Sequence, residues 1–328
     1  MTFKKVECID SGTEFCPCHL AEKGECLLCS QLQGQRFCDC KNWNGVCIYQ
    51  EYIYNKSKAT KGRPTLKLDI IEKILLEDTL IKLILKAPHK LVMDLLNPGS
   101  FIFIKSDENN NYFDFPISIE SADPNKNTLT MYIEIRGVKT KALLEATKYL
   151  LIRAPYYNGT FGLKNINETL NEKCLIISRG IGFAPSNLII KKLYNQNNEI
   201  TIVNDINPFS KDYFKNNNPN FNLKTHNINT LNLGELSDEL KEIILKYIAT
   251  GVSFIHCGGA DILTYKVIEF LDSINRKDIK LSCCNNAKMC CGEGVCGSCT
   301  LRFKGHNIKR LCKTQTDPRS IFEERRFI

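Results

Sequence analysis

The cysteines constrain this chain more than any other residue type. Of 17, eight lie between Cys8 and Cys47 and seven between Cys283 and Cys312, with only Cys174 and Cys257 between the two groups. Cysteines used as small apolar core residues would not gather at two ends of a sequence. The start, Met1-Thr-Phe-Lys-Lys-Val-Glu-Cys8, lacks the apolar stretch of a signal peptide, and no apolar run is long enough to span a bilayer. A cytoplasmic protein without membrane insertion is therefore expected. In a reducing compartment clustered thiols read as metal ligands rather than disulfides.

The carboxy-terminal group has a definite spacing: Cys291-Gly-Glu-Gly-Val-Cys296-Gly-Ser-Cys299, then Cys312. C-x4-C-x2-C with a distant fourth cysteine is the plant-type [2Fe-2S] pattern. Two irons and two bridging sulfides need four thiolates, and a tight loop supplies three. Gly292, Gly294 and Gly297 let that loop curl and aim its N–H groups at the sulfurs. Zinc is the competing reading, but zinc loops commonly pair two C-x2-C knuckles and this segment has one. Cys283, Cys284 and Cys290 fall outside the four-thiolate pattern and read as packing residues.

The amino-terminal group is Cys8, Cys16, Cys18, Cys26, Cys29, Cys38, Cys40 and Cys47. Eight thiols make two sets of four, sufficient for zinc or for [4Fe-4S] clusters, and the spacing does not divide them. The first fifty residues hold few aliphatic side chains, so metal or cross-links are expected to hold this module. His19 and Trp43 need no ligand role. The polar, basic stretch from Asn55 to Pro64 reads as a linker.

Between the two groups the texture changes once. From Leu66 to about Arg153 apolar and polar residues alternate, as in Thr128-Leu-Thr-Met-Tyr-Ile-Glu-Ile, and the turn Pro98-Gly99 leads into Phe101-Ile-Phe-Ile. Short strands at regular spacing predict an antiparallel β-barrel, with one helix near Thr140–Ala146. From Cys174 onward short apolar strands (Cys174–Ser178, Glu199–Val203, Gly251–His256) alternate with helical segments such as Ser186–Tyr194. That order predicts a doubly wound parallel sheet. The fold class is thus multidomain, α/β plus β, with small cysteine-rich modules at both ends. The expected divisions are 1–56 (cysteine-rich module), 57–165 (barrel), 166–277 (nucleotide domain) and 278–328 (cluster segment).

Two glycine turns end strands of the parallel sheet. Arg179-Gly180-Ile-Gly182-Phe-Ala-Pro185 opens a helix, where glycines let a pyrophosphate approach the backbone or simply join strand to helix. His256-Cys257-Gly258-Gly259 ends a later strand, where open α/β sheets bind ligands. Cys257 reads either as a thiol facing a nicotinamide or as a core thiol. The charge, Lys+Arg 44 against Asp+Glu 36, is scattered without a basic block, which argues against nucleic acid.

With these residues placed, the span from Leu66 to Cys312 resembles the ferredoxin–NADP reductase superfamily. Within it, the likeness is to the electron-transfer subunit group of class 1B dihydroorotate dehydrogenases and to the small subunit of NADH-dependent ferredoxin:NADP transhydrogenases. The family's Arg-Pro-x-Ser flavin segment stands here as Phe115-Pro116-Ile117-Ser118, with phenylalanine in the arginine's place. Its following strand and Gly-x-Gly-Thr turn match Tyr132-Ile133-Glu134 and Gly137-Val-Lys139-Thr140, with Lys139 replacing the second glycine. Ala154-Pro-Tyr-Tyr-Asn158-Gly159 resembles the family's Gly-Pro-x-Gly-Asn-Gly turn, and Asn286 stands where a glutamate is usual.

The resemblance implies FAD held by Phe115, Pro116, Ile117, Ser118, Tyr132, Ile133, Glu134, Gly137, Lys139 and Thr140, with Lys139 offsetting the missing arginine's charge. It implies NAD(P)H bound by Gly180, Gly182, Pro185 and Gly258, with Cys257 and Ser118 at the reacting centre. Asp205, at the end of the second parallel strand, is expected to read a ribose diol and favour NADH. The function implied is electron transfer from NAD(P)H through FAD and a [2Fe-2S] cluster on Cys291, Cys296, Cys299 and Cys312 to a partner redox protein or catalytic subunit. The alternatives are a free-standing NAD(P)H:acceptor reductase and a zinc-stabilised scaffold without redox activity.

Overall fold

The computed structural model describes residues 7–38, 45–106, 114–216, 223–303 and 308–323. Cys40 and Trp43 lie outside the described residues.

The alternating stretch builds a seven-stranded antiparallel sheet. Its order is Phe115–Ser118, Phe101–Lys105, Tyr149–Tyr156, Thr65–Glu77, Leu80–Lys86, Thr128–Glu134 and Ser121–Asp123. Alternation sends one row of side chains inward, so Ile81, Leu83, Leu85, Leu129, Met131 and Ile133 form a single apolar core with Ile102, Ile104, Leu150 and Ile152. The sheet curls into a barrel-like form, because the chain passes from one edge to the other within two residues. Ile119 N–H bonds Ser100 O at 3.0 Å and Glu120 N–H bonds Thr130 O at 3.0 Å. The helix expected near Thr140–Ala146 is a shorter Val138–Lys141 turn followed by a 3-10 turn, Ala142–Leu144.

The second sheet has the order Lys224–Asn227, Glu199–Asp205, Lys173–Arg179, Val252–Gly258, Lys280–Cys284 and Thr160–Phe161; the last strand is antiparallel, the rest parallel. Alternate residues of Lys173–Arg179 face opposite layers. Cys174 and Ile176 pack with the helix Phe183–Asn195, and Leu175 and Ile177 with the helices Asp238–Ala249 and Asp261–Ser273. Both covered faces explain the unbroken apolar runs in the sequence. The sheet crosses both expected boundaries: Thr160–Phe161 joins it from the barrel segment, and Lys280–Cys284 from the cluster segment. Strand order reverses between Lys173–Arg179 and Val252–Gly258, the place where open α/β sheets form a crevice.

Barrel and sheet share a packed border. Leu80 and Tyr132 of the barrel lie in the sheet domain's core, Leu188 of the helix lies in the barrel's core, and Asn187 Nδ2 donates to Glu120 Oε1 at 2.6 Å. That helix is also fixed to the sheet by His256, whose ring nitrogens meet Ser282 Oγ at 2.8 Å and Ser186 Oγ at 3.2 Å. No helix among the described residues is long and apolar enough to cross a membrane.

The stretch read as a linker contains an anchor. Arg63 is 7% exposed and stacks between the rings of Phe15 and Tyr156, at 4.1 and 4.3 Å. Its Nη2 donates to Asp10 Oδ1 at 2.7 Å and its Nη1 to both Glu293 oxygens at 3.0 Å. Lys313 bonds the same two carboxylates, Asp10 and Glu293. Beside this quartet Glu7–Cys8 pairs antiparallel with Thr314–Gln315, so the amino-terminal module is tied to the cluster segment.

Two expectations follow. Arg63→Ala leaves Asp10 and Glu293 sharing one cation in a buried site, and breaking such a pair costs about 3–5 kcal/mol. Native-state proteolysis should then cut the first sixty residues much faster while sparing the barrel, and Arg63→Lys, without the fork, should not restore protection. The second concerns acid. Burial pushes the His256 pKa from 6.5 down to about 3, so between these values the unfolded chain binds a proton that the native state refuses. Stability should fall as pH drops through that window, by about 1.4 kcal/mol per unit for this one proton. Denaturation midpoints of His256→Gln between pH 7 and 5 should show a shallower slope.

Candidate functional site

At the strand-order reversal a cleft of about 620 Å³ opens between barrel and sheet. The barrel wall is Pro116, Ile117 and Ser118 from one edge strand, with Tyr132 and Glu134 from the strand Thr128–Glu134 and Arg136 from the turn after it. The sheet wall is the turn Arg179, Gly180, Gly182 and Pro185, joined by Asn207 and Pro208; the far end is Gly259, Asp261, Cys284, Asn285 and Asn286. Two residues from the two walls meet directly: the Tyr132 ring packs edge-on against Phe183, 4.9 Å between centroids.

The glycines serve close backbone packing. A Cβ on Gly182 would lie 2.5 Å from Gly259 N and closer still to the Gly258 carbonyl, and a Cβ on Gly258 would meet Gly182 O at 2.7 Å. The helix therefore starts against the end of Val252–Gly258, which holds the turn's N–H groups at the cleft. Gly258 itself is buried behind that contact. Asp205 has no oxygen left for a ribose: its carboxylate accepts from Arg179 Nη1 at 2.6 Å, Thr230 N at 2.8 Å, Thr230 Oγ1 at 2.7 Å, Asn207 N at 3.1 Å and Asn207 Nδ2 at 2.9 Å. Those donors hold its pKa below the usual aspartate value despite burial. Asp205 is thus the anchor that aims Arg179 along the cleft.

The remaining expected site residues divide by position. Pro116, Ile117, Ser118, Tyr132, Glu134, Gly180, Gly182 and Pro185 come together on the cleft wall. Ile133 points into the barrel core, and Phe115 packs against that core. Thr140 Oγ1 accepts from Arg136 N at 2.9 Å and Gly137 N at 3.1 Å, so Gly137 and Thr140 shape the turn that carries Arg136. Lys139 donates to Asp114 O at 3.0 Å and is not on the cleft wall; the lining cations are Arg136 and Arg179. Cys257 is buried in the core beneath the helix Asp261–Ser273, where burial raises its thiol pKa to about 12. The thiol that lines the cleft is Cys284, at the carboxyl end of the next parallel strand. Sequence reading passed over Cys284, Arg136 and Asp261, although the carboxyl-end rule for parallel strands was a signal for the first. Asn286 donates to Gly259 O at 2.7 Å and Asp261 Oδ1 at 2.9 Å; a glutamate there would face the Asp261 carboxylate.

From Asn286 the chain runs directly into the cysteine loop. The Cys312 thiol is in hydrogen-bonding contact with Cys291 and Cys299, and Cys291 also with Cys296. Glu293 N–H points at Cys291 Sγ (3.3 Å) and Cys312 N–H at Cys299 Sγ (3.4 Å). The Cys312 thiol, and after it these backbone N–H groups, lower the pKa of Cys291 and Cys299, while the same sulfur pairings raise that of Cys312. Among the described residues no three or more Cys, His, Asp or Glu stand at single-ion ligand spacing; the four sulfurs of this loop close on one another instead. Four convergent thiols fed by backbone N–H groups are the donor set of an all-thiolate centre.

The loop rests on the barrel. A Cβ on Gly292, whose φ is +71°, would lie 2.5 Å from Tyr156 Cε1 and 2.9 Å from Phe103 Cε2. Arg153 clamps it by donating to Cys291 O at 2.5 Å and to Asp114 Oδ2 at 2.8 Å. Phe103 is paired with Pro116, so the cysteine loop lies one strand from the cleft's barrel wall.

No protein-family model matches the chain. The electron transfer subunit of dihydroorotate dehydrogenase B (NAD(+)) of Clostridium acetobutylicum is 27% identical over 249 residues, 74% of this chain and 91% of that one. Among solved structures, the NADH-dependent reduced ferredoxin-NADP oxidoreductase, solved for insights into flavin-based electron bifurcation, is similar with a TM-score of 0.59. It is 18% identical, and the match covers 79% of this chain and 87% of that one. The CS-b5R domains of human Ncb5or, in the NAD+ form, give a TM-score of 0.53 at 14% identity, over 69% and 70% of the two chains. The chain therefore carries the ferredoxin–NADP reductase fold, and its sequence is similar to that of a dihydroorotate dehydrogenase B electron transfer subunit.

Proposed function

We propose that this chain is an oxidoreductase subunit that passes electrons between NAD(P)H, FAD, a [2Fe-2S] cluster and a partner redox protein. The observation that carries the reading is continuity: one cleft joins the Pro116–Ser118 strand, the Gly180–Gly182 turn and the segment that leads into four gathered thiols. Bound there, a flavin supplies the step from a two-electron hydride donor to a one-electron centre.

The residues present fit that use. Pro116, Ile117 and Ser118 present a half-buried strand edge against which a flat ring would lie, with Ser118 nearest its polar edge. Arg136 and Arg179 are the lining cations that would face the phosphates, one on each wall, each steadied by a carboxylate: Glu134 at 2.8 Å and Asp205 at 2.6 Å. Tyr132 and Phe183 close the gap between the walls, which would exclude water from that side of a bound ring. Cys291, Cys296, Cys299 and Cys312 would hold the cluster, with Glu293 N–H and Cys312 N–H donating to the sulfurs. The cleft's thiol is Cys284, so we assign it, rather than Cys257, to the wall beside a nicotinamide. A catalytic or electron-accepting subunit as partner follows from the relative's description as a subunit.

The protein purified without oxygen should show flavin absorbance that NADH or NADPH bleaches, with about two irons and two sulfides assignable to the carboxy-terminal loop. A colourless protein containing zinc but neither flavin nor sulfide would overturn the reading in favour of a scaffold. Arg136→Ala removes a charged contact worth about 1.5–3 kcal/mol, so flavin should dissociate about tenfold more readily or worse. Lys139→Ala, altering a side chain turned to the Asp114 carbonyl, should retain flavin at the unaltered level by fluorescence titration.

A further inference from the structure

The amino-terminal cysteines are not spread evenly through their module. Cys8, Cys16, Cys18 and Cys26 line one small cavity, walled otherwise by Phe15, Leu20 and the Leu27–Leu28 turn. Cys18 lies within electrostatic reach of each of the other three, and Cys16 of Cys26 as well. These cysteines are free thiols, so disulfides do not account for their meeting.

The backbone treats these sulfurs as it treats those of the carboxy-terminal loop. Asp10 N–H points at Cys8, Gly12 N–H at Cys16, and Cys29 N–H at Cys26, the last at 3.4 Å. Amide groups are thus turned onto three of the four sulfurs, and the buried Lys313 cation lies near Cys8 and Cys18. The module has little else to hold it. Among its described residues only Phe15, Pro17, Leu20, Ala21 and Leu32 are buried apolar side chains, too few for a core of this length.

We propose that Cys8, Cys16, Cys18 and Cys26 form a second all-thiolate centre that holds an iron–sulfur cluster, the four lining one cavity without standing at single-ion ligand spacing. It divides the amino-terminal cysteines, which spacing left undivided: Cys47, which accepts Gln50 N–H at the start of the helix Ile48–Tyr54, does not line the cavity. The centre adjoins the carboxy-terminal loop, since Cys8 pairs with Thr314 and a Cβ on Gly294 would touch Leu20 at 3.0 Å. This site is independent of the flavin reading except in one respect: an iron–sulfur occupant would extend the same electron path.

The test is metal and sulfide analysis of the full chain, prepared without oxygen, as wild type, a Cys16→Ser/Cys18→Ser double variant and Cys291→Ser. The double variant should lose iron with matching sulfide, while keeping its flavin and the iron of the carboxy-terminal loop; loss of zinc alone would overturn the proposal. Cys291→Ser should lose the loop's iron and keep the amino-terminal metal, so failure of either centre is read separately. Equal metal in the double variant and the wild type would overturn the proposal. Should the double variant not fold, alkylation mapping of the native wild type decides. Cys8, Cys16, Cys18 and Cys26 should be protected until a chelator or acid releases metal; modification of all four with no metal released would overturn it.

Discussion

The two cysteine-rich regions are held against each other and against the barrel by four buried charges. Asp10, Arg63, Glu293 and Lys313 come from four separate parts of the chain and form two cations on two anions with almost no solvent. Such a group is costly to desolvate and gains little over a well-packed apolar cluster. Its use here is positional. A carboxylate accepts only from a correctly placed donor, and the Arg63 fork, with Nη2 on Asp10 and Nη1 on Glu293, fixes the two carboxylates relative to each other. Glu293 lies two residues after Cys291, so the placement of the cysteine loop is settled by an arginine more than two hundred residues earlier. Tyr156, which donates to Glu293 Oε1 at 3.0 Å, carries the same constraint into the barrel.

The cleft depends on a second kind of constraint, backbone approaching backbone. Gly182 and Gly258 let a helix begin where a strand ends, and Asp205 spends its carboxylate on holding Arg179 and the Thr230 backbone. Residues that by type suggest ligand contact are thus used to build the wall, and the groups left facing the space are the ones that wall presents. Asn158 plays the equivalent part below: its amide donates to Leu311 O and Thr314 O at 2.6 and 2.9 Å, binding the turn after the barrel to the segment after the cysteine loop.

What could be read from the residues was what is local. Alternation along Thr128–Glu134 and the apolar run Lys173–Arg179 each report their own burial, so the mixed architecture of an antiparallel and a parallel sheet was legible. The loop spacing from Cys291 to Cys299 likewise encodes a turn that brings its thiols together. What could not be read were pairings made at a distance. Arg63 sits in a stretch of polar, basic residues typical of a connector, and nothing nearby signals Asp10 or Glu293. Lys139 reads as a substitute cation because it replaces the second glycine of the flavin turn, whereas Arg136, three residues earlier, is the one on the cleft wall. Cys257 and Cys284 lie near the carboxyl ends of neighbouring strands, and only the sheet's register decides which thiol emerges: Cys257 is opposite Cys283, one residue before the end of Lys280–Cys284.

The pairing of Glu7–Cys8 with Thr314–Gln315 sets an order of events during synthesis. Lys313 and Asp10 are 303 positions apart, so at ~5–20 residues per second the first cysteines wait roughly 15–60 s for their neighbours. Barrel and sheet can fold in that interval, each from contiguous stretches. The amino-terminal module cannot, because its strand partner and two of its four buried charges have yet to emerge from the ribosome. Its thiols therefore stay uncovered until the strand Thr314–Gln315 arrives and closes over them.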